Sequence, residues 1–435
     1  MEHIYNYFKK AFQKKGDSTK TPAVFVYLLS AILVTIPLNF AFGSISCILF
    51  LIVSFSTLYK IKFSYSRALM LPILFYCLMI LSLFWTRDTK STLAGLQKEI
   101  VFLFLPLAFL FIPKLSKQAI DSIFRMFSFS MVFYALYYFI KALSRYFVSG
   151  NTDVFFYHEL VTKELNAIYV SVLASYAMFY FISLSKKSLK ERTALILLIL
   201  LVFLLSSKNI IVIDFLLIVI YYLFFSGRSK QIKVITVLMI AFSLLLSVVF
   251  VNKIRDRFLI EYETAFNGNT TNKNGKVCNI SLKQAWSNEQ FKQNDFFSGT
   301  AFRLYQIRIF KEMLHEENIF FTGFGLEASQ DKIKEKAKQH NLYPEYGKFN
   351  FHNQYIQTFS ELGIFGLLLL VLMVLINIKN AVVHKNFLHI VFTVTMITLF
   401  LTESFFCRQR GVIFFVTMYC IFNTTDVSKV KITLK

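Results

Sequence analysis

The sequence predicts an all-α polytopic membrane protein with about twelve transmembrane helices and one large extracytoplasmic loop that contains short helices. Hydrophobic residues make up 56% of the 435 residues, and charged residues only 17%. Soluble domains are about 45–50% apolar and about 25% charged. Uncharged runs of about 20 residues, the helix length that crosses about 30 Å of hydrocarbon, recur along the chain. Because the alternating pattern of a transmembrane barrel is absent from the sequence, the spans are predicted to be helices.

The apolar runs divide the chain into three parts. About nine spans form an N-terminal membrane region at 1–251, a long polar loop follows at 252–352, and about three spans form a C-terminal membrane region at 353–435. These bounds follow from runs at 23–41, 43–59, 68–86, 99–113, 122–144, 166–184, 193–207, 209–226, 233–251, 355–378, 386–405 and 411–423.

Basic residues occur in every second connection between these runs. Because lysine and arginine concentrate on the cytoplasmic side of a membrane protein, this alternation predicts cytoplasmic termini and a long loop on the outer face. It also accounts for much of the net charge of +22. We assign that charge to contact with anionic lipids of the inner leaflet rather than to nucleic-acid binding. The basic connections contain Lys60, Lys62 and Arg67; Lys114 and Lys117; Lys186, Lys187, Lys190 and Arg192; Arg228, Lys230 and Lys233; and Lys379 and Lys385.

The long loop has two different halves. Residues 266–296 are rich in Asn, Lys and Gly and are predicted to form a variable, mobile excursion. From Ser298 onward, apolar residues recur at spacings of three and four, which predicts a helix that ends at the TGFG turn of residues 322–325. Arg303 and Arg308 lie about 140° apart on that helix and so need not point at one ligand. A second, very polar helix is predicted within EASQDKIKEKAKQH, residues 327–340.

The segment FNFHNQYIQTFSELGIFG, residues 349–366, begins the tenth span. Asn353 is a natural N-cap for this helix, and the backbone amides and positive helix end behind it predict a place for an anion. His352 precedes the cap, and histidine is the side chain best suited to moving a proton near neutral pH. A second interpretation of His352, a polar residue at the water interface, stays open.

Other charged residues are predicted on the same face. Lys208 lies in a polar break between two apolar runs, where it either reaches water or binds an anion, and Asp214 is a candidate buried partner. Glu403, Arg408 and Arg410 lie together in LTESFFCRQRGVIFF, where a packed ion pair is the simplest prediction. A large anionic lipid head group would suit the combined positive charge of the helix N-terminus and of Lys208, Arg303, Arg408 and Arg410.

Metal and cofactor chemistry is not expected. The five cysteines suggest neither a disulfide framework nor a metal site, and the seven histidines lack the helical spacing of a ligand pair. We therefore predict a site that works without a metal or a cofactor.

Two stretches resemble the O-antigen ligase and polymerase superfamily, which consists of polytopic glycosyltransferases of the bacterial inner membrane. They are RLYQIRIFKEMLHEENIFFTGFGLEAS and FHNQYIQTFSELGIFGLLLLVLMVL, and the segment ESFFCRQRGVIFF is similar to Bacteroidetes-like members. Two positions depart from the family pattern: Lys208 stands where arginine is frequent, and Ile307 stands where tryptophan is common. The positions that fit are Arg303, Gly323, Gly325, His352, Asn353, Tyr355, Glu361, Gly363 and Gly366.

The resemblance implies a metal-independent, inverting glycosyltransferase with its large loop in the periplasm. It would move a glycan from an undecaprenyl-diphosphate carrier to an acceptor hydroxyl, most simply as an O-antigen ligase acting on lipid A–core. His352 is then the candidate base, with Glu403 next in order, and Arg303 stabilises the departing phosphate charge. The candidate substrate-binding residues are Lys208, Asn353, Glu403, Arg408 and Arg410.

Two alternatives stay open. An O-antigen or polysaccharide polymerase of the same superfamily would use another carrier-linked repeat as its acceptor. A transporter for a lipid-linked sugar belongs to a different class and should show paired repeats with broken helices near the membrane midplane. No such duplication is visible in the sequence, and one large loop on one side favours an enzyme.

Overall fold

The computed structural model describes residues 22–56, 65–162, 165–205, 207–239, 252–266, 270–271 and 278–424. Within these ranges the chain is predominantly helical, with one small sheet in the long loop. Five helical segments there are long and apolar enough to cross a membrane, and four further apolar helices are shorter. These helices are consistent with the predicted all-α membrane protein, whereas the twelve spans and the large loop stay predictions.

Among the described residues, the helices of the N-terminal membrane region follow the predicted apolar runs, and residues 240–251 of the ninth run, 233–251, lie outside the described residues. The largest difference is at the predicted fourth span, 99–113, whose helical segment begins ten residues earlier at Thr89. Asp88 caps that start by accepting a hydrogen bond from the backbone amide of Ser91. The helices are α1 (Ala23–Thr35), α2 (Phe40–Ser56), α3 (Arg67–Leu81), α4 (Thr89–Glu99), α5 (Val101–Phe109), α6 (Lys117–Ser149), α7 (Ala167–Ser183), α8 (Leu189–Leu205) and α9 (Lys208–Ile220), and residues 230–239 are also helical.

The first half of the long loop contains defined structure. Helix α10 (Asn252–Phe266) is followed by strands β1 (Thr270–Thr271) and β2 (Cys278–Ile280), by α11 (Leu282–Ser287) and by β3 (Asp295–Phe297). β1 pairs with β2 in antiparallel orientation, and β2 pairs with β3 in parallel. Residues 266–296 were predicted to be a variable, mobile excursion, and of these 267–269 and 272–277 lie outside the described residues. Within 278–296, sheet pairing and a capping box at the start of α11 engage backbone groups.

The second half of the loop contains the two predicted helices, α12 (Gly299–Glu316) and α13 (Gln330–Gln339). The sequence predicted that α12 continues to the TGFG turn, but it ends at Glu316, because Glu317 has an extended backbone with φ −124° and ψ 143°. A short 3₁₀ helix follows α13 at Pro344–Lys348. The loop has its own hydrophobic core, built from α12 together with side chains such as Phe291, Phe297, Phe324 and Phe351.

Three helices form the C-terminal membrane region: α14 (Gln354–Val383), α15 (Phe387–Phe400) and α16 (Gln409–Asn423). α16 is the most enclosed, with every residue from 412 to 422 buried. The ring of Phe415 on α16 lies 6.3 Å from the ring of Phe102 on α5 and 5.8 Å from that of Phe392 on α15. The last helix therefore packs at the centre of the membrane core.

α14 is interrupted at Gly363, where the sequence predicted an unbroken span. Gly363 has φ 66° and ψ −167°, a conformation open essentially to glycine alone. The interruption lets Ile364 donate its backbone N–H to the carbonyl of Phe320, while Gly325 donates to the carbonyl of Glu361. A Cβ atom on Gly363 would lie 2.1 Å from the Phe321 carbonyl oxygen. The TGFG turn and the broken helix therefore interlock through their backbones.

The TGFG turn also attaches the loop to the membrane helices. The indole of Trp85 donates to the carbonyl of Thr322 at 2.8 Å, and the hydroxyl of Thr92 donates to the carbonyl of Leu326, also at 2.8 Å. Lys98 at the end of α4 forms an ion pair with Glu327. These contacts hold the loop against the α3–α4 connection.

Candidate functional site

His352 lies in the short segment that connects the loop to α14. Its backbone is left-handed, with φ 49°, a conformation that is uncommon for residues other than glycine. The backbone N–H donates to the side-chain oxygen of Asn350 at 3.0 Å. The imidazole packs near the rings of Phe302 and Phe349 and is 24% exposed, so a ligand can reach it.

One buried carboxylate, that of Glu403, lies between His352 and Arg303. Its Oε2 atom is 3.6 Å from His352 Nδ1, and its Oε1 atom is 3.5 Å from Arg303 Nη2. Within the described part of the chain, His352 Nδ1 has no hydrogen-bond partner. Arg303 is held by two backbone carbonyls, those of Thr402 at 2.7 Å and Gly299 at 3.1 Å. The structure thus brings together the predicted base, the predicted arginine and Glu403.

Asn353 is the N-cap of α14, as predicted. Its side-chain oxygen accepts from the amide of Ile356 at 3.1 Å, and its side-chain nitrogen donates to the carbonyl of Leu401 at 3.3 Å. The residue is buried and its amide group is engaged at both ends. Capping the helix is therefore its observed role, and direct contact with substrate stays a prediction.

Lys208 forms an ion pair with Glu261 of α10, at 2.6 Å. The other oxygen of Glu261 accepts from the backbone amide of Thr300 at the start of α12. Burial raises the pKa of Glu261, but the hydrogen bonds from Lys208 and Thr300 outweigh it and keep that pKa below its ordinary value. The predicted partnership of Lys208 with Asp214 is wrong, because the Asp214 carboxylate accepts from the hydroxyl of Ser175 in the membrane core.

The Lys208–Glu261 pair lies next to Arg303. Glu261 Oε1 and Arg303 Nη1 are each 3.1 Å from the position that a Cβ atom on Gly299 would occupy. Gly299 therefore lets the two charged groups approach across the first turn of α12. As a result, the cations of Lys208 and Arg303 lie in one region, each beside a carboxylate.

Arg408 and Arg410 lie outside this cluster. Arg408 is exposed at the N-cap of α16. Arg410 donates to the carbonyl of Leu38 at 2.7 Å, and its guanidinium lies 4.3 Å from the ring of Phe40. The predicted ion pair of Glu403 with these arginines is wrong, because Glu403 packs against Arg303 and His352 instead. Substrate binding by Arg408 and Arg410 stays a prediction.

Sequence reasoning missed Gln357, which supports both halves of the site. Its side-chain oxygen accepts from the amide of Phe351 and from the hydroxyl of Ser404, both at 3.3 Å. Its side-chain nitrogen donates to Glu361 at 2.5 Å, which defines the orientation of the amide. Gln357 thus connects Phe351, which precedes His352, to Ser404, which follows Glu403. The sequence signal was its place four residues after Asn353 and four before Glu361, on one face of the helix.

Residues 193–371 match a family model described as O-antigen ligase. This match covers less than half of the chain and supports its membership of the O-antigen ligase superfamily. The match includes Lys208, Arg303, His352 and Glu361, whereas Glu403 lies beyond it. The family match indicates activity of the O-antigen ligase and polymerase type, and together with the apolar helices it supports a multi-pass membrane protein. No curated protein matches the chain.

Proposed function

We propose that the protein transfers a glycan from an undecaprenyl-diphosphate carrier to an acceptor hydroxyl at the periplasmic face of the bacterial inner membrane. The observation that carries this proposal is the contact of one buried carboxylate, Glu403, with both His352 and Arg303. A base and a phosphate-binding cation are thereby held side by side, as the chemistry of a diphosphate-linked donor requires.

His352 is the proposed general base. When its Nδ1 carries the proton and faces the Glu403 carboxylate, Nε2 has a lone pair that can accept the proton of the acceptor hydroxyl. The hydroxyl oxygen then forms the new bond to the anomeric carbon. The bond from that carbon to the diphosphate breaks, and its electron pair leaves with the phosphate oxygen. A single displacement of this kind inverts the anomeric centre.

Arg303 and Lys208 are proposed to stabilise the charge that develops on the leaving diphosphate. Arg303 can do so without moving, since the carbonyls of Thr402 and Gly299 hold its guanidinium and a guanidinium has five N–H donors. Lys208 supplies a point charge rather than a bidentate fork. In the structure Arg303 already faces the carboxylate of Glu403, and Lys208 faces that of Glu261. The diphosphate must therefore compete with these carboxylates for the two cations. Donor binding should therefore weaken as the ionic strength rises.

We favour a ligase that uses lipid A–core as acceptor, because the sequence predicts about twelve spans and a single dominant loop. A polymerase would use the same residues on a second carrier-linked repeat. The two differ only in the acceptor, which must fit between His352 and the donor.

The test uses purified full-length protein in lipid nanodiscs, with an undecaprenyl-diphosphate-linked glycan as donor. Lipid A–core and a second carrier-linked repeat are offered as acceptors in separate reactions that contain a metal chelator. Glycan on lipid A–core indicates a ligase, and lengthened carrier-linked glycan indicates a polymerase. In a separate experiment, the protein is reconstituted into vesicles and movement of the donor across the membrane is measured. If the donor moves and no glycan is transferred to either acceptor, the protein is a transporter and not a transferase.

A further inference from the structure

A second cavity lies at the opposite end of α14 from His352. α14 begins beside His352, and beyond its interruption at Gly363 the 20 helical residues from Ile364 to Val383, at about 1.5 Å each, span roughly 30 Å. At that far end the α7–α8 connection, the residues that follow α9 and the α14–α15 turn line a cavity of about 800 Å³. It is therefore separate from the candidate site.

The cavity is strongly basic. Lys117, Lys187, Arg228, His384 and Lys385 line it, and none of the described lining residues carries a carboxylate. These five residues come from four separate parts of the chain, so the fold, rather than a local run of lysines, concentrates the charge.

The nearby carboxylate of Glu191 is already engaged. It accepts two hydrogen bonds from Ser188 and lies 3.3 Å from Arg125. Burial lowers the pKa of Lys187, and the positive charges of Arg228 and Arg192 lower it further. The negative charge of Glu191 raises this pKa but does not outweigh them. The basic groups therefore repel one another, and an anion in the cavity would relieve that repulsion.

The cavity also has an aromatic wall. The segment that follows α9, Tyr221–Phe225, is a π-helical turn, a rare form that is frequent at functional sites. The rings of Tyr221 and Phe225 lie 4.8 Å and 5.3 Å from that of Phe387. On the outer side of the same turn, Phe224 is 76% exposed. An apolar surface that would face acyl chains thus adjoins the basic lining.

We propose that this cavity binds the phosphate-bearing headgroup of an anionic phospholipid. Basic pockets between membrane helices on the cytoplasmic side suit such headgroups, because each lysine or arginine near the surface contributes favourably to binding anionic lipid. Lys187 is preorganised for the role, since its Nζ donates to the carbonyls of Ile182 at 3.1 Å and Leu184 at 2.6 Å. A lipid fits better than free phosphate because of the adjoining apolar wall. The proposal does not depend on the transferase activity.

The test measures lipid binding to the purified full-length protein by native mass spectrometry. Phosphatidylglycerol is compared with phosphatidylcholine of the same acyl chains. The double variant Arg228→Gln/Lys385→Gln removes two exposed cavity charges and should bind phosphatidylglycerol about thirtyfold more weakly, or about fivefold for each charge. The charge-retaining pair Arg228→Lys/Lys385→Arg should bind like wild type, which separates charge loss from misfolding.

The matched control is Lys190→Gln/Lys379→Gln, which removes two exposed charges near the same end of the helices but outside the cavity lining. It should retain wild-type binding within about threefold, because its charges lie outside the pocket. If the two double variants lose the same amount of phosphatidylglycerol affinity, binding depends on the general positive charge of this surface and not on the cavity. That result would overturn the proposal. Two further results would overturn the proposal. One is that the wild-type protein binds phosphatidylglycerol and phosphatidylcholine equally. The other is that excess inorganic phosphate displaces phosphatidylglycerol completely.

Discussion

The Oε2 atom of Glu403 lies 3.6 Å from the Nδ1 atom of His352. The other oxygen of the same carboxylate lies 3.5 Å from Arg303 Nη2, and the Glu403 side chain is only 8% exposed. A buried carboxylate needs such partners, because an unpaired charge is strongly disfavoured away from water. The three side chains therefore form one unit, and single substitutions within it should not have additive effects.

Replacing His352 tests the proposed base. His352→Gln should lower the transfer rate at least about a hundredfold, because glutamine keeps a hydrogen bond but cannot accept the proton. His352→Ala should be equally inactive, and both variants should still bind the lipid donor. The rate is measured in single-turnover reactions, with His315→Gln, an exposed histidine on the same loop, as the control. A His352→Gln protein that works at the wild-type rate would make His352 a positioning residue.

The second prediction concerns the cations. Arg303→Ala should abolish transfer while the protein still accumulates in the membrane, because the cation proposed to stabilise the leaving diphosphate is lost. Lys208→Arg should retain more activity than Lys208→Ala, because arginine preserves the positive charge. Lys311→Ala, which removes an exposed lysine from the same helix as Arg303, is the control. Equal rates in the three site variants would mean that these side chains only hold the loop or reach water.

The third prediction separates the carboxylate from the base. Glu403→Gln preserves the size of the side chain but removes the charge that faces His352 and Arg303, so kcat should fall at least about tenfold. KM for the donor should change much less, since Arg303 is still held by backbone carbonyls. Glu335→Gln, on the exposed surface of α13, is the control. A change confined to KM would assign Glu403 to donor binding instead.

The fourth prediction concerns Gln357 as a positioning residue. Gln357→Ala should lower kcat at least about tenfold without weakening donor binding, because Phe351 and Ser404 lose their shared acceptor. Ser404→Ala should reproduce part of the effect. Ser360→Ala is the matched control, since that buried hydroxyl donates only to the backbone of its own helix. If Gln357→Ala and Ser360→Ala have the same kcat, the network does not position the site.

The fifth prediction concerns the interruption of α14. Gly363→Ala should sharply reduce the amount of folded protein, because the new Cβ would lie 2.1 Å from the Phe321 carbonyl oxygen. Gly150→Ala is the control, since Gly150 has nearly the same φ, 65°, with open space around it. That variant should lose only about 1 kcal/mol. Thermal unfolding in detergent compares the two, and equal losses would contradict the requirement for glycine at 363.

Much of the fold and part of the site follow from local sequence. Apolar runs of membrane length predicted the helices, and the three- and four-residue spacing predicted the buried face of α12. Asn353 was predicted as an N-cap because capping depends on residues within one helical turn. His352 was singled out by its place before that cap and Arg303 by its charge on the same face, and the family pattern implied their roles. Apolar runs, periodicity and capping motifs are properties of short stretches of sequence. The helices, the buried face of α12 and the N-cap that they predict are therefore found in the structure.

The partners of the charged residues were decided only by the tertiary structure. Arg303 donates to Thr402, 99 residues away, and Lys208 pairs with Glu261, 53 residues away, whereas sequence reasoning chose the nearer Asp214. The interruption of α14 at Gly363 likewise depends on the TGFG turn, which lies about forty residues earlier and supplies the backbone partners. Such pairings depend on how helices pack, and helix packing brings together side chains that no local pattern relates. The residue types at the site, Glu403 included, could therefore be read from the chain, but the contact of the Glu403 carboxylate with both His352 and Arg303 depends on how the loop packs on the membrane helices.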